Sequence, residues 1–238
     1  WTTTLDPAIR AEPVGTIDPF CKSVTFWNEK EPLAVLTFYA THPQSHYGKG
    51  HVSADFVGMA RAAREQALPG VPHIHFDGAG GNIGAGKWND GTPENRPVLA
   101  GRLEEGMRKA WESSTLVPVI DGMLDWAVEP VVLPTRGEIK SETETALLSS
   151  AGASAGERVG AAMKLAWINR ANAENPIELA RLRLGSLQLL LLPGELFVEY
   201  QLAAQDMAPT DFVCVAAYGD YGPGYIGTAC AYDEGGYE

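Results

Sequence analysis

Apolar residues along the chain fall into short runs, and each run stops at punctuation. Leu33 to Thr41 is an unbroken β-branched and aromatic run, which predicts a buried strand that empties into His42-Pro43. Pro43 ends ladder pairing and biases His42 toward an extended backbone. Ser23 to Asn28 predicts a partner strand, joined through Asn28 to Pro32. His73 to Phe76, Ala127 to Thr135, Leu182 to Pro193 and Phe212 to Ala217 read as further strands.

Between them the pattern switches to helical spacing. Ser53 is placed to cap an Ala- and Arg-rich helix ending near Ala67 before Pro69-Gly70. Thr92 to Asn95 introduces a helix to about Ser113, and a helix follows Gly194-Glu195 to about Gln205. Ala155 to Ala173 reads as an amphipathic helix with Val159, Ala162, Met163, Ala166 and Trp167 on its core face. Residues 1–19 are polar, with three prolines, and predict an extended lead-in. This alternation predicts an α/β fold of mixed β-sheet layers flanked by helices, with a site at the carboxyl ends of strands.

Composition narrows the function. Of 238 residues, 45% are hydrophobic and 20% charged, enough for a core. The net charge of −12, without a basic stripe, argues against a nucleic-acid partner. No run is long enough to span a membrane as a helix. Cys21, Cys214 and Cys230 match no zinc spacing, and Cys214 sits in a core-like run. The sequence opens at Trp1 and stops at Tyr237-Glu238. It is read as residues 1–238 of a single incomplete catalytic domain, with parts on both sides missing.

All five histidines lie between His42 and His75. Four strand ends carry candidate chemistry: His42; Asp77 and Asn82; Glu195; and Tyr221 and Tyr225. Convergence of those ends on one sheet edge would make a site. Gly81 to Lys87 fits the glycine–lysine spacing of a phosphate loop. Trp88 then replaces the required Ser or Thr, and a turn replaces the helix. The glycines are read instead as allowing close backbone approach to a ligand, a metal site or another strand. His42, Glu195 and a tyrosine together would make a nitrogen–oxygen donor set of the kind zinc accepts.

Three blocks carry a resemblance. Tyr39-Ala-Thr-His42-Pro-Gln-Ser45, Leu192-Pro-Gly-Glu195 and Gly224-Tyr225 onward to Tyr237-Glu238 together resemble the neutral (alkaline, non-lysosomal) ceramidase family. The resemblance implies a Zn2+ held by His42, Glu195 and Tyr225, with Tyr237 binding the reacting carbonyl. A further family histidine, in a His-Thr-His motif, has no counterpart here and is expected on a missing segment. The family's serine-containing segment reads Gly81-Asn82-Ile83-Gly84-Ala85-Gly86, which implies a divergent branch.

The expected function is metal-activated hydrolysis of an N-acyl, ceramide-like amide in a small-molecule or lipid-like substrate. The family implies a secreted or periplasmic location. The alternatives are metal-dependent hydrolysis of an ester or glycosidic bond, and a non-catalytic glycan- or lipid-binding module. His51, Asn82, Lys87 and Asp90 are candidate substrate-binding or supporting residues. Asp55 is read as a first-turn helix residue, and the oligomeric state is left open.

Overall fold

The computed structural model describes residues 2–219 and 222–235. The chain divides into two compact units, residues 1–126 with 181–238, and residues 127–180.

The first unit begins with a short helix α1 (Pro7–Ala11), where an extended lead-in was expected. Asp6 accepts a hydrogen bond from the Ala8 amide, and Pro7 at the first helical position costs no donor. Strands β1 (Lys22–Asn28) and β2 (Glu31–Tyr39) form the predicted antiparallel hairpin. The turn is tighter than predicted: Glu29 takes a left-handed φ of +52°, and Pro32 enters β2 opposite Trp27, where the register shifts.

Helix α2 (Asp55–Ala67) leads to β3 (His73–Asp77), which pairs parallel with β2 from Val35–His73 to Tyr39–Asp77. Helix α3 (Asn95–Glu112) packs on α2 through Phe56, Ala60, Leu99, Ala100, Leu103 and Met107. Burying each of the Phe, Leu and Met side chains contributes roughly 1.5–3 kcal/mol relative to exposure.

Strand β4 (Leu124–Val131), helix α4 (Ser141–Ser149), helix α5 (Ala155–Asn172) and strand β5 (Ile177–Leu184) follow. Within the second unit, α4 packs against α5, and Lys164 reaches the buried Glu144 at 3.2 Å. Ser154 and Glu157 cap α5 reciprocally. The predicted core face of α5 is wrong. Val159 and Met163 are 60% and 64% exposed, while Ala161 and Ile168 are buried. An Ala-rich helix offers apolar residues on several faces, so spacing alone does not select one.

The strand predicted over Leu182 to Pro193 is two strands, β5 and β6 (Leu187–Pro193). Gly185, at φ +61°, makes the turn between them. After β6 come β7 (Glu195–Leu196), α6 (Val198–Asp206), β8 (Phe212–Gly219), β9 (Tyr225–Ile226) and α7 (Ala229–Glu234). The helix predicted after Glu195 therefore starts three residues later. β6 pairs parallel with β8, and β7 parallel with β9.

Phe38, Cys214 and Ala216 form a core with Leu36, Phe76, Leu187 and Leu189, joining the β1–β3 sheet to the β6–β8 pair. The result is mixed sheet layers flanked by helices, as the alternation predicts. All three cysteines are free, and burial pushes the Cys21 and Cys214 thiols up to about 12. Among the described residues, no helix is long and apolar enough to cross a membrane.

Candidate active site

Parallel pairing decides where chemistry collects. β2 and β3 run together, as do β6 and β8, and residues beyond their carboxyl ends meet. His42 follows β2 and is 8% exposed. Its Nδ1 lies 2.6 Å from the Gly80 carbonyl and 3.3 Å from the Ile83 carbonyl. Carbonyls only accept, so Nδ1 carries a proton, and Nε2 points the other way.

Nε2 faces the Glu195 carboxylate, with Oε2 at 2.8 Å, and the Tyr225 hydroxyl at 3.4 Å. The Tyr225 ring stacks on the imidazole at 6.0 Å between centroids. The Tyr218 ring meets it edge-on at 5.6 Å, with its hydroxyl 3.4 Å from Nδ1. Tyr218 was not singled out from sequence, although it closes β8 as His42 follows β2. Its φ of +59° is unusual for a tyrosine and marks local strain beside the imidazole.

Glu195 and Tyr225 are held side by side by the β7–β9 pair. The Glu195 amide donates to the Gly224 carbonyl at 2.8 Å, and the Phe197 amide donates to Ile226 at 3.1 Å. Ala79, Leu196 and Val215 form a small core with Leu190, Leu192 and Ile226 as neighbours.

The glycine-rich loop threads between the parts of the cluster. The Gly81 amide donates to the Leu196 carbonyl at 2.7 Å. A Cβ on Gly81 would lie 2.2 Å from the Glu195 carbonyl oxygen, which no side chain can occupy. Gly81→Ala is therefore expected to lower stability by ~3 kcal/mol and displace Glu195, checked by urea denaturation. The loop is also braced from behind. The Ala79 amide donates to Gln201 Oε1 at 3.0 Å, and Gln201 donates to the buried Asp18 at 2.7 Å.

The loop that follows His42 has its own anchor. Asp55 accepts from the Ser45 amide at 2.9 Å, the His46 amide at 2.8 Å, the Phe56 amide at 2.7 Å and the Ser45 hydroxyl. It is 7% exposed with a left-handed φ of +53°. Asp55 does sit in the first turn of α2, but its carboxylate clamps the His42 loop. Ser53 does not cap α2: residue Ala54 holds that position, and the Ser53 hydroxyl accepts from the Asp55 amide.

The remaining candidates lie elsewhere. Asn82 caps α6, accepting from the Val198 amide and donating to Glu199, both at 2.9 Å. Lys87 donates to the Glu12 carbonyl and lies over the Trp88 ring. Asp90 accepts from the Thr92 amide and hydroxyl, which lower its carboxyl below the usual range. His51 stacks on His46 with centroids 5.6 Å apart. Tyr221 and Tyr237 lie outside the described residues.

A second titratable pair lies on β3. His75 and Asp77 approach to 3.7 Å, and Thr37 meets His75 Nδ1 at 2.8 Å. Burial, with Arg61 adding to it, lowers His75 from 6.5 to about 4. Burial raises Asp77 from 3.8 to about 6, with His42 working against it. The Asp77 contribution to stability is full below pH 4 and is lost as pH rises through 6. The His75 contribution is full above pH 6.5 and is lost as pH falls through 4. The two oppose each other over one window. Asp77→Asn removes the first alone, so the variant is expected to lose ~2 kcal/mol between pH 7 and 4.5, more than the parent, by urea denaturation at both pH values.

Comparison with solved structures supplies the fold's relatives. A ceramidase complexed with C2 superposes with a TM-score of 0.66 at 17% identity, covering 93% of this chain and 44% of that one. A neutral ceramidase from Pseudomonas aeruginosa gives 0.60 at 19% identity, covering 88% and 41%. The chain has the neutral ceramidase fold. It spans less than half the length of either of these ceramidase structures. No family model and no curated protein sequence matches it.

Among the described residues, no group of three His, Cys, Asp or Glu side chains could hold a metal. His42 and Glu195 supply two such donors, and the Tyr225 hydroxyl lies 3.4 Å from the same Nε2. The lone pair on Nε2 and the carboxylate oxygen are both acceptors, so their approach calls for a proton or a cation between them. Ligands of a tetrahedral ion with bonds of 2.0–2.2 Å stand ~3.3 Å apart. The Tyr225 contact at 3.4 Å matches this spacing, and the Glu195 contact needs a side-chain shift of about 0.5 Å. Nitrogen, carboxylate and phenol oxygen are donor types that zinc accepts.

Proposed function

We propose that this chain carries the catalytic site of a zinc-dependent amidohydrolase acting on an N-acyl, ceramide-like bond of a lipid-like substrate. The observation that supports it is the convergence of His42 Nε2, Glu195 Oε2 and the Tyr225 hydroxyl on a neutral ceramidase fold. His42, Glu195 and Tyr225 would hold the ion, leaving a fourth position open to a ligand from outside these three. When bound, zinc polarises a carbonyl and brings the pKa of a bound water to ~7.

The chain's own groups supply the rest. The Gly80 carbonyl keeps the proton on His42 Nδ1, so Nε2 faces the site as a lone pair. Glu195, 2.8 Å from His42 Nε2, would supply the anionic oxygen of the donor set. Tyr237, by the family resemblance, donates to the developing oxyanion.

The test is elemental analysis of the purified full-length protein and of His42→Ala. About one zinc per chain in the parent, lost from the variant together with hydrolysis of an N-acyl amine, is the expected result. A full-length protein that takes up no metal overturns the reading at its first step. Screening amide, ester and glycosidic substrates then identifies the bond cleaved.

A further inference from the structure

Beyond the His42 cluster, a cavity of about 320 Å³ opens between the His42–His51 loop and the start of α3. Its walls include His46, Lys49 and His51 from the loop, and Thr92 and Arg96 from the other side. No acidic residue lines it, in a chain whose net charge is −12.

Of the three nearby carboxylates, Glu94, beside Pro93, is exposed to solvent, and the other two are already engaged. Asp55 is occupied by the loop amides and Ser45, and Asp90 by Thr92. Among the described residues, neither Lys49 nor Arg96 has an ion-pair partner. Arg96 donates through Nη2 to the Ser53 hydroxyl at 2.9 Å, while its Nε is buried without a partner. Arg96 is half-buried beside the cavity, and a guanidinium presents paired donors in the fork that suits an oxyanion. His46 and His51, stacked 5.6 Å apart, add two imidazoles to the same wall.

We infer that this cavity binds an oxyanion, a phosphate, sulfate or carboxylate, between Lys49, Arg96 and the His46–His51 pair. Lys49 supplies a point charge, and Arg96 supplies directional donors. The volume exceeds a bare phosphate and admits a small group attached to it. Ser45, on the cavity wall, is three residues from His42, so their Cα atoms are at most about 11 Å apart. An anion held here is therefore within reach of a substrate whose other end lies at His42.

The test is calorimetric titration of the full-length protein with inorganic phosphate. One saturable site is expected, weakened at least tenfold in Lys49→Glu and in Arg96→Gln. Lys49 is exposed and makes no ion pair, so Lys49→Glu decides the matter if Arg96→Gln unfolds. Absence of saturable binding, or equal binding in Lys49→Glu, overturns the inference.

A second arm separates a head group from a free anion, and this arm rests on the hydrolase reading. A lower KM for a phosphate-bearing N-acyl amine than for its neutral counterpart, lost in Lys49→Glu, assigns the site to the substrate's head group. Equal KM values with phosphate binding intact assign it to a free anion. Glu195→Gln, inactive under the hydrolase reading, is expected to bind phosphate unchanged, so the two proposals fail separately.

Discussion

Glu195→Gln is expected to lower hydrolysis by about 10²-fold or more, the loss of a Lewis acid worth several kcal/mol, while leaving the protein folded. The carboxylate lies 2.8 Å from His42 Nε2 and is partly open to solvent, so its loss removes charge without opening a core. An amide in its place keeps the shape but binds a cation less strongly. Zinc content is expected to fall with activity, while the melting temperature stays within a few degrees. Full activity in this variant would sink the assignment of Glu195.

Asp55→Ala is expected to cost ~3–5 kcal/mol and most of the activity, although Asp55 touches none of the converging side chains. Its carboxylate satisfies the Ser45, His46 and Phe56 amides and the Ser45 hydroxyl in a buried setting. Each buried donor left without a partner costs roughly 1–3 kcal/mol. Alanine is also a poor occupant of a left-handed φ, whereas asparagine tolerates it. Asp55→Asn should therefore lie between the parent and Asp55→Ala, in denaturation midpoint and in activity. If Asp55→Ala unfolds outright, the asparagine variant still reports whether the loop and His42 move together. Equal midpoints for all three proteins would exclude the clamp.

Legibility in the sequence followed the strength of local punctuation. His42-Pro43, Gly194-Glu195 and Gly224-Tyr225 each close or follow an apolar run, and the structure brings His42, Glu195 and Tyr225 together. The alternation of strands and helices along the chain was readable in outline because apolar runs alternate with helical spacing, while the two-residue strands β7 and β9 were not. What was missed depends on contacts distant in sequence. Asp55 looks like any acidic residue in a first turn until residues 45 and 46 fold onto it. Tyr218 is one aromatic among several until β8 is set beside His42. The Gly185 turn disappears within a leucine-rich run, since Ser186 and Gly185 are weak punctuation against seven flanking leucines. Asn82 belongs to the glycine loop by sequence, but its amide serves α6, more than a hundred residues on.

The β7–β9 pair has a consequence for how the cluster opens. Only two residues on each strand are paired, and Glu195 and Tyr225 are among them. A ladder this short is a small cooperative unit beside the longer β6–β8 ladder, and small units open at lower free energy. Amide exchange at Glu195 and Phe197 should then outrun exchange in the middle of β6. Such breathing would part the carboxylate from the phenol while the imidazole stays tied to Gly80, without unfolding the sheets beneath it.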